Sequence, residues 1–281
     1  MLKPGKFNLL RVTKTTSFGV YLDGGSYGEI LLPKRYVPKD CLVDSKLNVF
    51  IYLDSEDRLI ATTETPLAQV NEVACLQVVA VNRFGAFLDW GLPKDLLVPR
   101  KEQAIPMQEG QSYVVCVYFD ERTETIAASS RLELFLHEIN SSFTPQQPVE
   151  LMICERTELG FKAVIEATHI GLLYANEVFQ PLRIGQRVQG YIKAIRPDRK
   201  IDLTLQLPSP VVQDALAQKI LDHLHAHGGT STLTDKSAPD DIYREFQVSK
   251  AHFKRAIGLL YKQQKIVMGK DLIRLVEKEK P

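Results

Sequence analysis

The chain has 281 residues, 44% of them hydrophobic and 25% charged. That balance suits about two ordinary globular domains and excludes a disordered, coiled-coil or collagen-like chain. Thirty-five Lys and Arg against 34 Asp and Glu leave a formal +1, so no whole-protein field steers the chain onto a polyanion.

In chain order, Lys6–Val12 opens as a short β-rich run, and Phe18-Gly19-Val20-Tyr21-Leu22-Asp23 follows. A second run, Val73–Val81, leads to Phe84-Gly85-Ala86-Phe87-Leu88-Asp89, which repeats the first motif 66 residues later. The same offset carries Asp54 onto Asp120 and Ala61-Thr62-Thr63-Glu64 onto Ala127-Ala128-Ser129-Ser130. A more divergent third copy runs from Leu159-Gly160-Phe161-Lys162 through Gly171-Leu172-Leu173-Tyr174 and Val188–Ile195 to Lys200-Ile201-Asp202-Leu203-Thr204-Leu205. Short strands at this spacing predict small barrels, and five strands closing on themselves make the oligonucleotide-binding barrel. Between the second and third copies a short helix is predicted over Arg131 to Ile139, then a linker from Asn140 to Pro148.

After Pro210 the period lengthens to that of a helix. Val212, Leu216, Ile220, Leu221 and Leu224 share one face, with Gly228 placed to cap it. Asp240–Phe246 predicts a second helix, and Ser249 N-caps a third running to about Gln264. Two strands, Ile266–Met268 and Leu272–Val276, complete the winged-helix order. The units fall at 1–66, 67–145, 146–209 and 210–281, a mostly β chain of three barrels and an α+β domain.

These residues carry a family resemblance. Each of the three repeats resembles the S1 RNA-binding domain, and the whole chain resembles the bacterial conserved virulence factor B family (YitL-like proteins). The most specific stretches are Gly190-Tyr191-Ile192-Lys193-Ala194-Ile195-Arg196, Lys200-Ile201-Asp202-Leu203, and Asp235-Lys236-Ser237-Ala238-Pro239 through Ser249-Lys250 to Leu260-Tyr261-Lys262-Gln263. The resemblance implies three S1-type barrels before a winged helix, binding of single-stranded RNA, influence on gene expression, and no catalysis. It also implies a binding face: two aromatics flanking a Gly, a His after the next strand, and a late Asp with a basic residue four positions on. In the first repeat Phe18, Tyr21, Asp54 and Arg58 match, with Leu32 in the His place. In the second Phe84, Phe87 and Asp120 match, with Val98 for the His and Glu124 for the basic residue. The third has Leu159 and Lys162 for the aromatics, Tyr174 for the His, and Lys200 as the basic residue.

The chemistry suits the charge. An unpaired base stacked on Phe or Tyr gains roughly 1–3 kcal/mol whatever its identity, without a large positive field. Phe18 and Tyr21 are three apart, so a flat strand would put them on opposite faces; a bulge or tight coil at Gly19 is expected to bring both outward, and likewise at Gly85. One or both aromatics filling the barrel is the competing reading. The last 72 residues carry 12 Lys and Arg against nine acids, whereas 67–145 carry six against ten. Within the third helix Lys250, Lys254, Arg255, Lys262 and Lys265 are expected to form a basic arc for phosphate contact or a protein partner. Phe253, Ala256, Ile257, Leu260 and Tyr261 are expected in the core opposite.

Other chemistry is weak. His223, His225 and His227 alternate by two, so neighbours diverge by about 200° and share no metal; a helix C-terminus favours them for its dipole. No phosphate-cradle or hydrolase motif is present, and no cofactor is implied. Four cysteines without a CxxC pair read as reduced, buried thiols. With no ~20-residue apolar run and no signal-peptide core in Met1–Arg11, a cytoplasmic protein away from membranes is expected. The alternatives are a DNA-binding regulator acting through the winged helix and an adaptor on the ribosome or transcription machinery that uses degenerate barrels.

Overall fold

The computed structural model describes residues 2–136, 143–178, 180–206, 210–246, 248–269 and 271–276, with only the backbone described over 210–215. Strands β1 (Phe7–Thr16), β2 (Gly19–Asp23), β3 (Glu29–Pro33), β4 (Lys46–Leu53) and β5 (Leu59–Thr62) close a barrel in the order β1-β2-β3-β5-β4. The β3–β5 pair is parallel and the others antiparallel, the five-stranded oligonucleotide-binding arrangement. The second unit comprises β6 (Val73–Val81), β7 (Gly85–Asp89), β8 (Leu96–Pro99), β9 (Ser112–Asp120) and β10 (Thr125–Ser129). Its sheet runs β10-β9-β6-β7-β8 and curls until β8 and β10 lie alongside each other. The third, β11 (Pro148–Thr157), β12 (Gly160–Ile165), β13 (His169–Tyr174), β14 (Arg187–Ile195) and β15 (Ile201–Thr204), closes like the first.

One contact explains why Phe-Gly recurs. A Cβ at Gly19 would lie 2.2 Å from the Leu32 carbonyl oxygen, at Gly85 2.1 Å from that of Val98, and at Gly160 2.0 Å from that of Leu173. Only glycine lets the second and third strands of each barrel approach so closely. At Gly19 and Gly85 the chain comes out of a tight turn, and the bulge sits across the sheet on the first strand: between Val12 and Lys14, Val78 and Ala80, and, in the third barrel, Ile153 and Glu155.

The barrels are not beads on a string. Along β4, Val49 and Ile51 point into the first barrel, while Phe50 and Tyr52 join Trp90, Val115 and Val117 in the core of the second. The Lys94 ammonium also reaches back, donating to the Asp54 carbonyl at 2.7 Å and pairing with Asp57 at 2.7 Å. The second and third barrels meet over Val73, Val114 and Leu132 against Met152, Val164 and Ile170. Cys75, Cys116 and Cys154 belong to this joint; only Cys116 is fully buried, and Cys41, Cys75 and Cys154 are half-buried. Burial pushes the thiols of Cys116 to about 11 and Cys154 to about 12, so both stay protonated.

The last unit contains α1 (Pro210–Ala226), β16 (Thr230–Ser231), α2 (Pro239–Phe246), α3 (Lys250–Lys262), β17 (Ile266–Met268) and β18 (Ile273–Leu275). Leu216, Ile220 and Leu224 pack on Ile242, Phe253, Ile257 and Leu260. The Val212 side chain lies outside the described residues. Gly228 adopts φ +68°, and the Gly229 amide donates to Leu224 O at 2.7 Å, ending α1 as the sequence implies. Ser249 caps α3, its hydroxyl accepting from the His252 amide at 3.0 Å.

Three expectations change. Of the helix expected over Arg131–Ile139, the described part, up to residue 136, holds one 3₁₀ turn at Leu132–Leu134; residues 137–139 and the start of the linker, 140–142, lie outside the described residues. β16 was not foreseen; two residues are too few to show a period, yet it completes the wing sheet by pairing with β18. Tyr261 is 55% exposed rather than in the core, because Leu260 takes the core-facing place in the last turn of α3. Among the described residues no helix is long and apolar enough to cross a membrane.

Candidate nucleic-acid interface

Phe18 sits in the turn before β2, its carbonyl held by the Lys34 amide at 2.8 Å, and its ring is 54% exposed. Tyr21 lies outward on β2 between buried Val20 and Leu22, and the two rings meet edge to face at 6.2 Å. The Lys14 ammonium stands 4.4 Å over the Tyr21 ring, with its own partner Glu29 at 2.5 Å. In the second barrel Phe84 is 59% exposed. Its amide donates to Asn82 Oδ1 at 2.8 Å, and the Arg83 guanidinium lies 4.7 Å over its ring. Phe87 is half-buried and lines a cleft of about 460 Å³ with Tyr118, Trp90, Lys101 and, from the first barrel, Leu53 and Asp57. Burial, with Glu102 and Asp120 nearby, pushes the Tyr118 phenol up to about 12, so it remains a hydrogen-bond donor.

The late carboxylates hold turns. Asp54 accepts from the amides of Glu56 and Arg58 at 2.9 and 3.0 Å and from the Arg58 guanidinium at 2.8 Å. Burial opposes its charge, but these donors outweigh that and keep its carboxyl below the usual range. Asp120 takes the Arg122 amide at 3.0 Å, the main reason its own pKa falls. Arg58 is therefore occupied by Asp54 and by Glu56 at 2.8 Å, although it remains exposed.

The third barrel differs. Leu159 replaces the exposed aromatic and is itself 63% exposed. Lys162 is tied to Glu133 and Glu155 at 2.8 Å each, bridging to the turn after the second barrel. With Leu172, Ile201, Arg196 and the exposed Lys200 they wall an apolar pocket of about 410 Å³. Arg196 takes the place of Asp54, since its amide bonds Lys200 O as the Asp54 amide bonds Arg58 O, both at 2.9 Å. Tyr174 donates its hydroxyl to Asp202 at 3.2 Å under the Lys193 ammonium.

The strand register corrects one assignment. Gly19 faces Pro33, Gly85 faces Pro99 and Gly160 faces Tyr174. The surface position is thus Pro33 and Pro99 in the first two barrels, while Leu32 and Val98 are fully buried core. A one-residue slip in a short apolar run reverses which side chains face out.

On the winged helix, Lys254, Arg255 and Lys262 are exposed on α3, Lys250 is half-buried, and Lys265 lies past its end. Lys254 approaches Asp235 at 4.0 Å. Arg255, Ala251 and His252 face a polar cleft shared with Glu177, Lys193 and Thr204 of the third barrel. Burial, then Arg255, lowers the pKa of His252. The cations Lys14, Arg83 and Lys101 and the ring of Tyr118 were not foreseen. They come from other strands and loops, and only an aromatic-plus-cation count across the folded face would have found them.

The chain is a protein of S1-type barrels joined to a winged helix. The S1 domain family matches residues 4–64 and 72–129, the first two barrels, and the CvfB-like winged helix domain family matches 218–275. These are nucleic-acid-binding rather than enzymatic families. The chain is 31% identical to YitL of Bacillus subtilis over 94% of its length and 91% of the relative. It is 26% identical to conserved virulence factor B of Staphylococcus saprophyticus, over 84% of this chain and 81% of the relative. It belongs to this family of YitL and conserved virulence factor B. A solved multidomain protein with nucleic acid binding domains from Streptococcus pneumoniae aligns over 97% of this chain and 98% of its own, at 24% identity and a TM-score of 0.42.

Proposed function

We propose that the protein is a non-catalytic, cytoplasmic RNA-binding protein of bacteria that holds single-stranded RNA and acts in post-transcriptional or expression regulation. The four units divide near residues 66, 145 and 209. The observation that carries this reading is a repeated pair. At the same place in two barrels, an exposed Phe precedes the second strand and a second outward aromatic follows three residues on, with a cation over one of the rings; in the first barrel the two rings also touch. Such a surface stacks bases and meets the adjoining phosphate without a large net charge. Phe18, Tyr21, Phe84 and Phe87 are the stacking residues, and Asp54 and Asp120 hold the turns beside them. Arg58, Tyr174, Lys200 and the basic residues of α3 are secondary contacts.

The test is fluorescence anisotropy with an unstructured RNA. Exchanging Phe84 and Phe87 together for Ala weakens binding by roughly 5- to 150-fold, the range for one lost stack, or more if both rings stack, while the circular dichroism spectrum is unchanged. Unaltered affinity removes the stacking role. Full loss on exchanging Lys254 and Arg255 for Glu, with the double Ala variant binding normally, transfers the function to the winged helix.

A further inference from the structure

We propose that the pocket on the third barrel is a site for a small organic anion with an apolar body, an aliphatic or aromatic carboxylate, and not for a base of a nucleic-acid strand. The pocket holds about 410 Å³, within the roughly 300–1,000 Å³ of small-molecule sites. It lies between the turn joining β11 to β12 and the turn joining β14 to β15. Its apolar lining is aliphatic, from Leu159, Ile170, Leu172 and Ile201, and among the described residues no ring lines it. A base therefore has nothing to stack on there. Its polar edge, set against hydrocarbon, would also lose hydrogen bonds that water supplies.

The charge stands on one edge, because Arg196 and Lys200 both come from the β14–β15 turn. In the first barrel the equivalent of Arg196 is Asp54, which spends its carboxylate on the amides of its own turn. In the third barrel Asp198 serves the turn instead, accepting the Lys200 amide at 3.3 Å. The Arg196 side chain is thus released from that duty. Its Nη2 lies 3.4 Å from Asp198 and its Nε 3.6 Å from Asp202, both longer than the roughly 2.7–3.2 Å of a made hydrogen bond. The buried Nε has no hydrogen-bond partner among the described residues. The Lys200 ammonium is exposed and forms no ion pair among them. Lys162, by contrast, is neutralised by Glu133 and Glu155, and Glu158 is the one acid on the lining, exposed on the other turn. A carboxylate at the Arg196 edge meets two charge-assisted donors while its body covers the aliphatic side chains. Ile170 also belongs to the joint with the second barrel, so a filled pocket stabilises the folded chain by mass action.

The experiment titrates the full chain with sodium octanoate by calorimetry, and follows thermal unfolding with and without it. One octanoate per chain, with a dissociation constant in the millimolar range or below, and a raised melting temperature are expected. Octanol, which has the same body without the charge, binds several-fold more weakly, and AMP does not compete. Exchanging Arg196 and Lys200 together for Gln weakens octanoate about tenfold or more and leaves octanol unchanged. Leu172→Asp abolishes binding; Leu159→Asp, on an exposed turn, gives the same test should the first variant unfold. The double Ala variant of Phe84 and Phe87 binds octanoate normally. No binding at about 10 mM octanoate, loss of binding in that double Ala variant, or AMP competing as well as octanoate itself overturns the site.

Discussion

The second and third barrels share a backbone and differ in what that backbone displays. Both place a glycine where the second strand crosses the third, and both bulge the first strand at the same point. Yet where the second barrel presents Phe84 and Phe87, the third presents Leu159 and spends Lys162 on Glu133 and Glu155. The glycine answers to packing and must stay wherever the barrel closes. The exposed aromatics have no such packing duty, so the fold leaves them free to change. The third barrel thus keeps the scaffold and shows, where the second has two aromatics, an apolar pocket rimmed by Arg196 and Lys200.

The largest effect expected from this comparison is on the shared feature. Gly85→Ala forces a Cβ to within 2.1 Å of the Val98 carbonyl and destabilises by about 2–3 kcal/mol. Gly160→Ala should cost at least as much in the other barrel, because φ +149° adds backbone strain to the same clash, and denaturant unfolding measures both. A smaller cost in the third barrel would mean that its strands separate more easily. The next effect is on the feature that differs. Leu159→Phe restores an exposed ring and should tighten RNA binding a few-fold, about 1 kcal/mol, in anisotropy titrations. No gain would show that the cations around the ring matter as much as the ring.

The smallest effect concerns the joint between the third barrel and α3. Burial beside Arg255 lowers the His252 pKa below its ordinary 6.5, so the folded chain binds fewer protons than the unfolded chain. This group's contribution is complete above about pH 6.5 and declines as the pH falls below it. Melting temperatures taken between pH 8 and pH 5 should drop less in His252→Gln than in the native chain.

The barrels were legible because a steric requirement leaves the same residue every time: Gly19, Gly85 and Gly160 mark equivalent crossings, and the 66-residue offset follows. The winged helix was legible for a similar reason, since Ser249 and Gly228 punctuate helices whose apolar period is clear. What escaped depends on relations between distant residues. Leu32 and Pro33 are adjacent in a run with little pattern, and only pairing with Gly19 decides which one faces water. Lys14 and Tyr118 reach the aromatic faces from other strands, and the pairing of Lys162 with Glu133 spans two barrels.

Phe50 and Tyr52 belong by chain to one barrel and by packing to the next. A joint sealed by aromatic side chains has no linker to stretch, so Phe18 and Phe84 stand at a set separation. On the proposed stacking role, a strand seated on Phe84 would meet Phe18 at a local concentration fixed by that geometry rather than by chain flexibility. The pair would then act as a gauge, favouring strands long enough to span the interval whatever their bases.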